Sequence, residues 1–271
     1  MRIALTGASG LVGRAIHRAA VAAGHDVDTL PGYRLGDGPD LRGRDALIHA
    51  AFAHAPGKYR GGEGDDPSGF RCANLDGTRR LFDAARRSAV ARILFLSSRA
   101  IHDGHPPGSI LTDVMPPAPT TLYGEVKALA EVHLARGGEG GTALRATGIY
   151  GGGPSHKWRD LFAGYLAGQP VAPRVATEVH QHDLALAALL VLRAPSAPPT
   201  LNVSDLVLDR RDLLAEVARI AVCDHPLPQR ADPAPLRIPD CSGLRALGWR
   251  PGGMDLLRKE LPGMLDPPRH M

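Results

Sequence analysis

A tyrosine and a lysine four residues apart, Tyr123 and Lys127, carry the clearest chemistry in this 271-residue chain. Residues at this spacing share one face of an α-helix, so the two side chains can act on the same proton. A phenol has an ordinary pKa of about 10 and is a weak base at neutral pH, but a neighbouring ammonium favours the phenolate. The pair therefore predicts proton transfer to or from a bound molecule, with Tyr123 as the acid or base.

A glycine-rich turn near the start of the chain predicts a site for phosphate groups. The apolar run 2–6 reads as a buried strand and leads directly into the sequence GASGLVG at 7–13, where a helix begins. Gly7 permits a tight turn, Gly10 lets the backbone approach a pyrophosphate, and Gly13 allows close packing of the helix. The candidate cofactor-binding residues of this turn are Gly7, Gly10, Leu11, Val12 and Gly13.

Apolar strand candidates alternate with helix-like stretches over the first 150 residues. The predicted strands lie at 2–6, 46–51, 92–97 and 142–149, and the predicted helices at 11–23, 74–89 and 122–136. This alternation predicts an α/β fold, a Rossmann-type doubly wound parallel sheet with right-handed crossovers. The stretch 31–45 is rich in Gly, Pro and Asp and is too short for a full strand and helix, so one unit is predicted to be trimmed there.

Beyond residue 150 the alternation weakens, which predicts a smaller substrate lobe. We expect a dinucleotide-binding domain over 1–150 and a substrate-binding lobe over 151–271, partly interleaved with the first domain. The lobe is predicted to contain helices at 158–168, 183–193 and 211–222, a strand at 175–180, and then a proline-rich tail. Two long loops rich in Gly and Pro, at 56–69 and 102–121, lead toward the predicted site.

Composition and charge exclude several classes of protein. The formal charge of +4 comes mostly from scattered arginines without a basic run, which argues against a nucleic-acid partner. Three widely spaced cysteines argue against a disulfide framework or a thiolate metal site. The longest apolar run, 184–192, is too short to cross a bilayer, and the N-terminus lacks a secretory layout. We therefore expect a cytoplasmic protein without a membrane partner.

Several ordered motifs resemble the extended short-chain dehydrogenase/reductase family, which contains sugar-nucleotide epimerases, dehydratases and reductases. Besides the glycine turn and the tyrosine-lysine pair, the similar segments are DALIHAA at 45–51, NLDGT at 74–78, ILFLSS at 93–98, LR at 144–145, YG at 150–151, VHQHDLA at 179–185, NV at 202–203 and LGWRP at 247–251. The resemblance covers nearly the whole chain. It implies a nicotinamide dinucleotide cofactor, a small-molecule substrate and, as is usual in the family, a homodimer.

The resemblance also implies roles for individual catalytic residues. Ser98, 25 residues before Tyr123, would bind the substrate oxygen, and Ser97 is the weaker candidate. Lys127 would hold the nicotinamide ribose hydroxyls and lower the pKa of Tyr123. A carbonyl that becomes an alkoxide needs a hydrogen-bond donor and a proton source on one side, and Ser98 and Tyr123 would supply them.

Three further positions are cofactor candidates by the same resemblance. Ala50 and Ala51 end a strand where the cofactor of the family passes, while Phe52 next to them is equally well explained by core packing. Asn74 matches an asparagine at the start of a helix beneath the cofactor, and a simple helix N-cap is the open alternative.

The chain departs from the family at the position that selects the cofactor. Relatives that use NAD carry an acid at the end of the second strand, where it accepts the adenosine ribose hydroxyls, and this chain has Pro31. A 2′-phosphate is then not repelled, and Arg34 or Arg14 could pair with it. NADP(H) is therefore the preferred cofactor, with NAD(H) possible.

Further departures concern the substrate and a metal. Sugar-nucleotide epimerases usually carry an arginine four residues before the position of His180, where it grips the diphosphate, and this chain has Ala176. The acid pair that follows the catalytic hydroxyl in dehydratases is replaced by Arg99 and Ala100. The motif His180-Gln-His182-Asp183 could coordinate zinc, but the family uses the segment to end a strand and start a helix, so no metal site is predicted.

These residues together predict an NADP(H)-preferring oxidoreductase that interconverts a carbonyl and a secondary alcohol on a small, natural-product or modified-sugar substrate. Tyr123 is the acid or base, Ser98 orients the oxygen, and Lys127 tunes the phenol. Two alternatives stay open: an NAD-dependent sugar or sugar-nucleotide epimerase, and a non-catalytic dinucleotide sensor.

Overall fold

The computed structural model describes residues 1–54, 64–138, 140–153 and 156–265. Its strands are β1 (Arg2–Thr6), β2 (Asp26–Asp28), β3 (Ala46–His49), β4 (Arg92–Ser98), β5 (Ile110–Leu111), β6 (Gly141–Ala146), β7 (Gly148–Tyr150), β8 (Val175–His180), β9 (Thr200–Val203), β10 (Leu206–Asp209) and β11 (Ile238–Pro239). Its α-helices are α1 (Leu11–Ala22), α2 (Pro67–Arg71), α3 (Gly77–Arg87), α4 (Leu122–Ala135), α5 (Arg159–Leu166), α6 (Gln181–Arg193), α7 (Arg210–Ala221), α8 (Ser242–Ala246) and α9 (Gly253–Leu265). A π-helical segment, Cys72–Asp76, joins α2 to α3, and a 3₁₀ turn, Arg99–His102, follows β4.

The main sheet has six parallel strands in the order β2-β1-β3-β4-β6-β9. This confirms the predicted Rossmann-type α/β fold. Between β2 and β3 the chain forms neither a helix nor a strand, in the stretch where a trimmed unit was predicted. Of the predicted loop 56–69, residues 56–63 lie outside the described ranges, and α2 begins at Pro67.

Alternation along the strands explains why helices cover both faces of the sheet. In β1, Ile3 and Leu5 belong to one apolar cluster with α1 and α6, while Ala4 belongs to a second cluster with α3 and α4. Side chains two apart share a face, so strands buried on both sides read as continuous apolar runs. The parallel strands end at one edge of this sandwich, where ligands of open α/β folds bind.

The lobe is built around a second, three-stranded sheet in the order β10-β8-β7. The predicted single strand 142–149 is wrong, because β6 ends in the main sheet and β7 pairs with β8 in the lobe. The chain later returns to the main sheet as β9. The predicted proline-rich tail contains regular structure: α9 is a 13-residue helix with Pro262 inside it, and its Leu257 and Leu261 are buried in the apolar cluster of the lobe.

No helix within the described ranges is both long enough and apolar enough to cross a membrane.

Candidate active site

The glycine turn between β1 and α1 has the shape that a dinucleotide phosphate requires. Gly7 has a φ of +72°, and a Cβ there would lie 2.6 Å from the Ala51 nitrogen. A Cβ on Gly13 would lie 2.0 Å from the Gly7 oxygen, so the backbone of the helix is in direct contact with the backbone of the turn. Gly10 caps α1 without a side-chain hydrogen bond, and the first turn holds no acid. The helix therefore presents its N–H groups and dipole to an anion, which fits the predicted cofactor.

A buried histidine fixes the strand end that faces this turn. The ring nitrogens of His49 lie 2.7 Å from the Thr6 hydroxyl and 2.9 Å from the Thr78 hydroxyl, and Ala51 N–H donates to Thr6 Oγ1 at 3.3 Å. Burial lowers the pKa of His49 to about 3, with Lys127 a smaller cause, so the ring is neutral. Ala51 is thereby held against the glycine turn by neutral hydrogen bonds.

Asn74 is a buried residue whose side chain fixes the backbone that lines the cleft. Its side chain accepts from Ala53 N–H at 2.7 Å and donates to the Ala53 and Phe70 carbonyls at 2.8 and 3.0 Å. The alternative of a simple N-cap is wrong, because Asn74 lies inside the π-helical segment. The amide instead fixes the chain after β3, where Ala53 lines the cleft.

A cleft of about 2170 Å³ runs along the carboxyl edge of the main sheet and continues between that sheet and the lobe. Most of the sequence-predicted site residues line it together: Gly7, Gly10, Leu11, Val12, Gly13, Ala50, Ala51, Ser98, Tyr123 and Lys127. Asn74 and Arg34 do not line it. Asn74 is buried, and Arg34 is exposed in the loop after β2.

The first turn of α4, which carries Tyr123, lies close to the backbone that follows Ser98. The Thr121 hydroxyl caps α4 by accepting from Gly124 N–H at 3.1 Å. A Cβ on Gly124 would lie 2.7 Å from the Ala100 oxygen, in the 3₁₀ turn that follows Ser98. The glycine after Tyr123 therefore lets the first turn of α4 pack against the 3₁₀ turn that follows Ser98, and both Ser98 and Tyr123 line the cleft.

Lys127 lies on α4 one turn after Tyr123 and is buried among aromatic side chains. Its ammonium donates to the Leu96 carbonyl at 2.7 Å and lies 4.2 and 4.7 Å from the ring centroids of Phe52 and Phe95. Burial lowers the pKa of Lys127 to about 7, against the opposing charge of Glu131. Phe52 thus forms a wall of the lysine site and packs edge-on against the Tyr123 ring at 5.2 Å.

This burial predicts a pH-dependent difference in stability between the native chain and a Lys127→Met variant. The folded pKa lies below the value of about 10.4 for an unfolded lysine, so between these values the unfolded chain binds more protons and the native chain gains stability as the pH rises. The free energy of unfolding of the native chain should increase relative to Lys127→Met by about 1 kcal/mol per pH unit from pH 7 to 10. Urea unfolding of both proteins over this pH range measures the difference in the free energy of unfolding. The contributions of titrating groups that the two proteins share cancel in this difference. A constant difference would show that the lysine stays charged in the fold.

The two serines at the end of β4 have different partners. Ser97 Oγ donates to Glu131, which forms a buried ion pair with Arg145, so this hydroxyl is held in the protein interior. Ser98 Oγ accepts from Ala100 N–H at 3.2 Å, and both serines line the cleft, but of the two only the Ser97 hydroxyl is bonded to Glu131. The geometry favours Ser98 as the residue that meets a substrate.

The structure ends β2 at Asp28, three residues before Pro31, so this strand does end in an acid, but its carboxylate has partners within the protein. Asp28 pairs with Arg44 at 2.5 Å and accepts from Leu30 N–H at 2.9 Å. Pro31 lines the cleft, as does Arg14, whose guanidinium donates to the Ser9 carbonyl of the glycine turn. Arg14 is therefore the better placed of the two arginines predicted to meet a 2′-phosphate.

The cleft is lined by two charged pairs that the sequence did not predict, one in the lobe and one at the 3₁₀ turn after β4. Lys157 and Glu178 form an ion pair, and Arg99 and Asp103 form another at 2.9 Å; all four residues line the cleft. A signal was present, since Glu178 is a carboxylate inside a buried strand and such a group needs a partner. The partner lies 21 residues away and could not be identified from spacing.

The segment after β8 serves the structure of the lobe. His180 caps α6 by accepting from His182 N–H at 3.3 Å, and burial lowers the pKa of His180 to about 4. Asp183 lies in the first turn of α6 and accepts from Gly252 N–H at 3.0 Å. Across the described ranges, no three His, Cys, Asp or Glu side chains are grouped to hold a metal ion.

Comparison with known proteins places these features in context. A family model described as the NAD dependent epimerase/dehydratase family matches residues 3–204. UDP-glucose 4-epimerase of Corynebacterium glutamicum is 24% identical over 306 residues, covering 94% of this chain and 92% of that protein. L-arabinose 1-dehydrogenase (NAD(P)(+)) of Haloferax volcanii is 29% identical over 150 residues, covering 48% of this chain and 58% of that protein. The structure of UDP-glucose 4-epimerase of Thermotoga maritima with UDP-glucose has a TM-score of 0.78 at 20% identity, covering 98% of this chain and 100% of that chain.

Proposed function

The chain belongs to the NAD-dependent epimerase/dehydratase family and is thus an NAD(P)-dependent oxidoreductase or epimerase, and from this premise we propose that it reduces a carbonyl to a secondary alcohol, and the reverse, with NADP(H) as the preferred cofactor. The dinucleotide binds over residues 1–150, the substrate contacts the lobe formed within 151–271, and the enzyme acts in the cytoplasm on a small molecule. The observation that carries the proposal is the shared cleft of Ser98, Tyr123 and Lys127 beside the glycine turn.

The chemistry follows from what these side chains can do. When bound, the nicotinamide supplies or accepts a hydride at the carbonyl carbon. Ser98 donates a hydrogen bond to the substrate oxygen, and Tyr123 gives that oxygen its proton. The Lys127 ammonium, which lies 6.0 Å from the centre of the Tyr123 ring, favours the phenolate that remains. The apolar walls from Phe52 and Phe95 exclude water from this proton path.

Two features of the cleft support reduction over the other reactions of the family. Arg99, directly after Ser98, is paired with Asp103, so the acid pair of the dehydratases has no counterpart there. Ala176 lines the cleft where the epimerases carry a diphosphate-binding arginine. Both support a substrate other than a nucleoside diphosphate sugar.

An assay for cofactor retention and turnover tests the proposal. Purified protein is denatured and its released dinucleotide identified, and the native protein is then assayed with NADPH and NADH over a panel of ketones and aldehydes. We expect little retained NAD and oxidation of NADPH with some members of the panel. Retained NAD with no net turnover would instead support the epimerase alternative.

Removal of Arg14 tests the cofactor preference. Arg14 lines the cleft and can form a charge-assisted pair with a 2′-phosphate, so Arg14→Ala should raise the KM for NADPH about tenfold and that for NADH about twofold or less. Steady-state kinetics with both cofactors measures this. Arg34→Ala is the matched variant. If Arg34→Ala alone produces the loss, the loop after Pro31 supplies the phosphate contact, and if neither does, the proposed NADP(H) preference is wrong.

A further inference from the structure

The lobe side of the cleft contains the ion pair of Lys157 and Glu178, which packs directly against the backbone of Gly148. In the register of the lobe sheet, Gly148 is opposite Glu178. A Cβ on Gly148 would lie 2.6 Å from Glu178 Oε2 and 2.9 Å from Lys157 Nζ. A side chain at this position would displace the pair. The glycine therefore leaves room for a charged lysine and a carboxylate in the wall of the cleft.

The two members of the pair differ in what they offer a ligand. Both residues line the cleft, but the Lys157 side chain is 24% exposed and that of Glu178 only 6%, so Lys157 is the more accessible of the two. Burial lowers the pKa of Lys157, while the charge of Glu178 acts in the opposite direction, and the Trp158 ring lies 5.3 Å from Nζ on another side. An ammonium has three donors, and Glu178 does not take all of them. The remaining N–H donors of this cationic group can therefore bind a ligand in the cleft.

The surrounding charges favour an anion at this position. Arg174 and Asp160 also line the lobe side of the cleft, and because both are exposed, water and salt screen the fields of both charges. Among the described residues that line the whole cleft, seven are Arg or Lys and three are Asp or Glu. The basic residues are Arg14, Arg18, Arg99, Lys127, Lys157, Arg174 and Arg237, and the acidic ones are Asp103, Asp160 and Glu178. The cleft thus concentrates anions, and Lys157 is a partly buried contact for one.

We propose that Lys157, held in place by Glu178, binds an anionic group on the carbonyl substrate, a carboxylate or a phosphate, and so selects acidic substrates over their neutral counterparts. The selection of substrates rests on the carbonyl chemistry proposed above. The anion site itself is a property of the lobe and can be tested without turnover. It lies at side chains other than position 176, where the family resemblance implies an arginine that binds the diphosphate in sugar-nucleotide epimerases.

Lysine NMR tests the site directly, because the sequence contains four lysines, at 58, 127, 157 and 259. Protein with ¹³C-labelled lysine side chains is saturated with NADP⁺ and titrated with acetate or with inorganic phosphate, and the Lys157 signal is assigned by its loss in Lys157→Met. We expect a saturable shift of the Lys157 signal, with a smaller response at Lys259, which is exposed on α9. The anion that gives the larger response identifies the chemistry as carboxylate or phosphate. A Lys157 signal that responds to neither anion overturns the proposal.

Turnover tests the selection. A keto acid is compared with its methyl ester, and a ketose phosphate with the free ketose. Lys157→Met should lower kcat/KM for the acidic member by about 10- to 100-fold and leave the neutral member within about threefold. Equal losses for both members overturn the selection while leaving carbonyl reduction standing. If no carbonyl in the panel is reduced, the proposed function fails, and the NMR titration still decides the anion site.

Two further variants guard against misfolding. Lys157→Met leaves a buried carboxylate without its partner, so the double variant Lys157→Met/Glu178→Gln removes both charges together. The double variant should show the same loss for acidic substrates, whereas Lys259→Met should behave as the native chain does. Restored selection in the double variant would show that an uncompensated Glu178, rather than a missing ammonium, caused the loss.

Discussion

Replacing Tyr123 by phenylalanine is expected to lower kcat by about 10²- to 10⁴-fold, because the variant has no proton to give to the substrate oxygen. Cofactor binding should stay within about twofold, since the phenyl ring still packs edge-on against Phe52. Steady-state oxidation of NADPH, with cofactor affinity measured by fluorescence titration, separates these effects. Turnover equal to that of the native chain would remove the basis for the catalytic assignment.

Tyr33 and the serine pair provide matched controls for this experiment. Tyr33 also lines the cleft, and its hydroxyl is buried without a hydrogen-bond partner among the described residues. Tyr33→Phe therefore removes a buried hydroxyl from a cleft-lining tyrosine without removing a proton donor from the reaction, and kcat should change little. Ser98→Ala should lower kcat, whereas Ser97→Ala should mainly lower stability, because Ser97 bonds to Glu131 in the interior. The reverse result would move the substrate contact to Ser97.

The parts of the site that sequence predicted are those fixed by local geometry. A helix places residues four apart on one face, so Tyr123 and Lys127 could be paired from spacing alone. A strand, a glycine turn and a helix in that order determine the backbone at Gly7 and Gly13 with little help from the rest of the fold. The six-stranded sheet followed in the same way from continuous apolar runs separated by helices.

The parts that sequence did not predict depend on register and on distant partners. The run 142–149 is apolar across both β6 and β7, so nothing in its periodicity marks Thr147 as the point where the chain leaves one sheet for another. The contact of Lys157 with Glu178 exists because β7 and β8 pair in one register over Gly148. The sequence predicted Arg34 or Arg14 as the contact for a 2′-phosphate, and only the fold shows that Arg14 lines the cleft while Arg34 does not.

Arg145 shows how the interior supports the cleft. Its side chain is 4% exposed and bonds to Glu131, itself 6% exposed, at 2.8 Å, and to the Asp113 carbonyl at 2.9 Å. Glu131 also accepts from Ser97 and lies one helical turn after Lys127. The ion pair therefore connects β6 to the helix that carries Lys127, and the bond from Ser97 joins the strand that ends in Ser98 to the same carboxylate.

Replacing Arg145 by methionine should lower the free energy of unfolding by about 3 to 5 kcal/mol, because it leaves Glu131 as an uncompensated charge in the interior. Urea unfolding measures the loss. The matched control is Arg230→Met, since Arg230 pairs with Asp212 at 2.6 Å with both side chains exposed, and we expect a much smaller loss than at Arg145. A loss at Arg145 no larger than this control would contradict the buried pair.

The double variant Arg145→Met/Glu131→Gln separates charge from packing. It removes both ions, so most of the stability should return, as buried ion pairs contribute little beyond neutral groups that fill the same space. The amide can still accept from Ser97, but it no longer offsets the burial of Lys127, whose pKa Glu131 raises. A refolded double variant with lowered kcat would therefore show that the buried carboxylate acts on the reaction through Lys127, whereas full activity would limit the pair to a structural role.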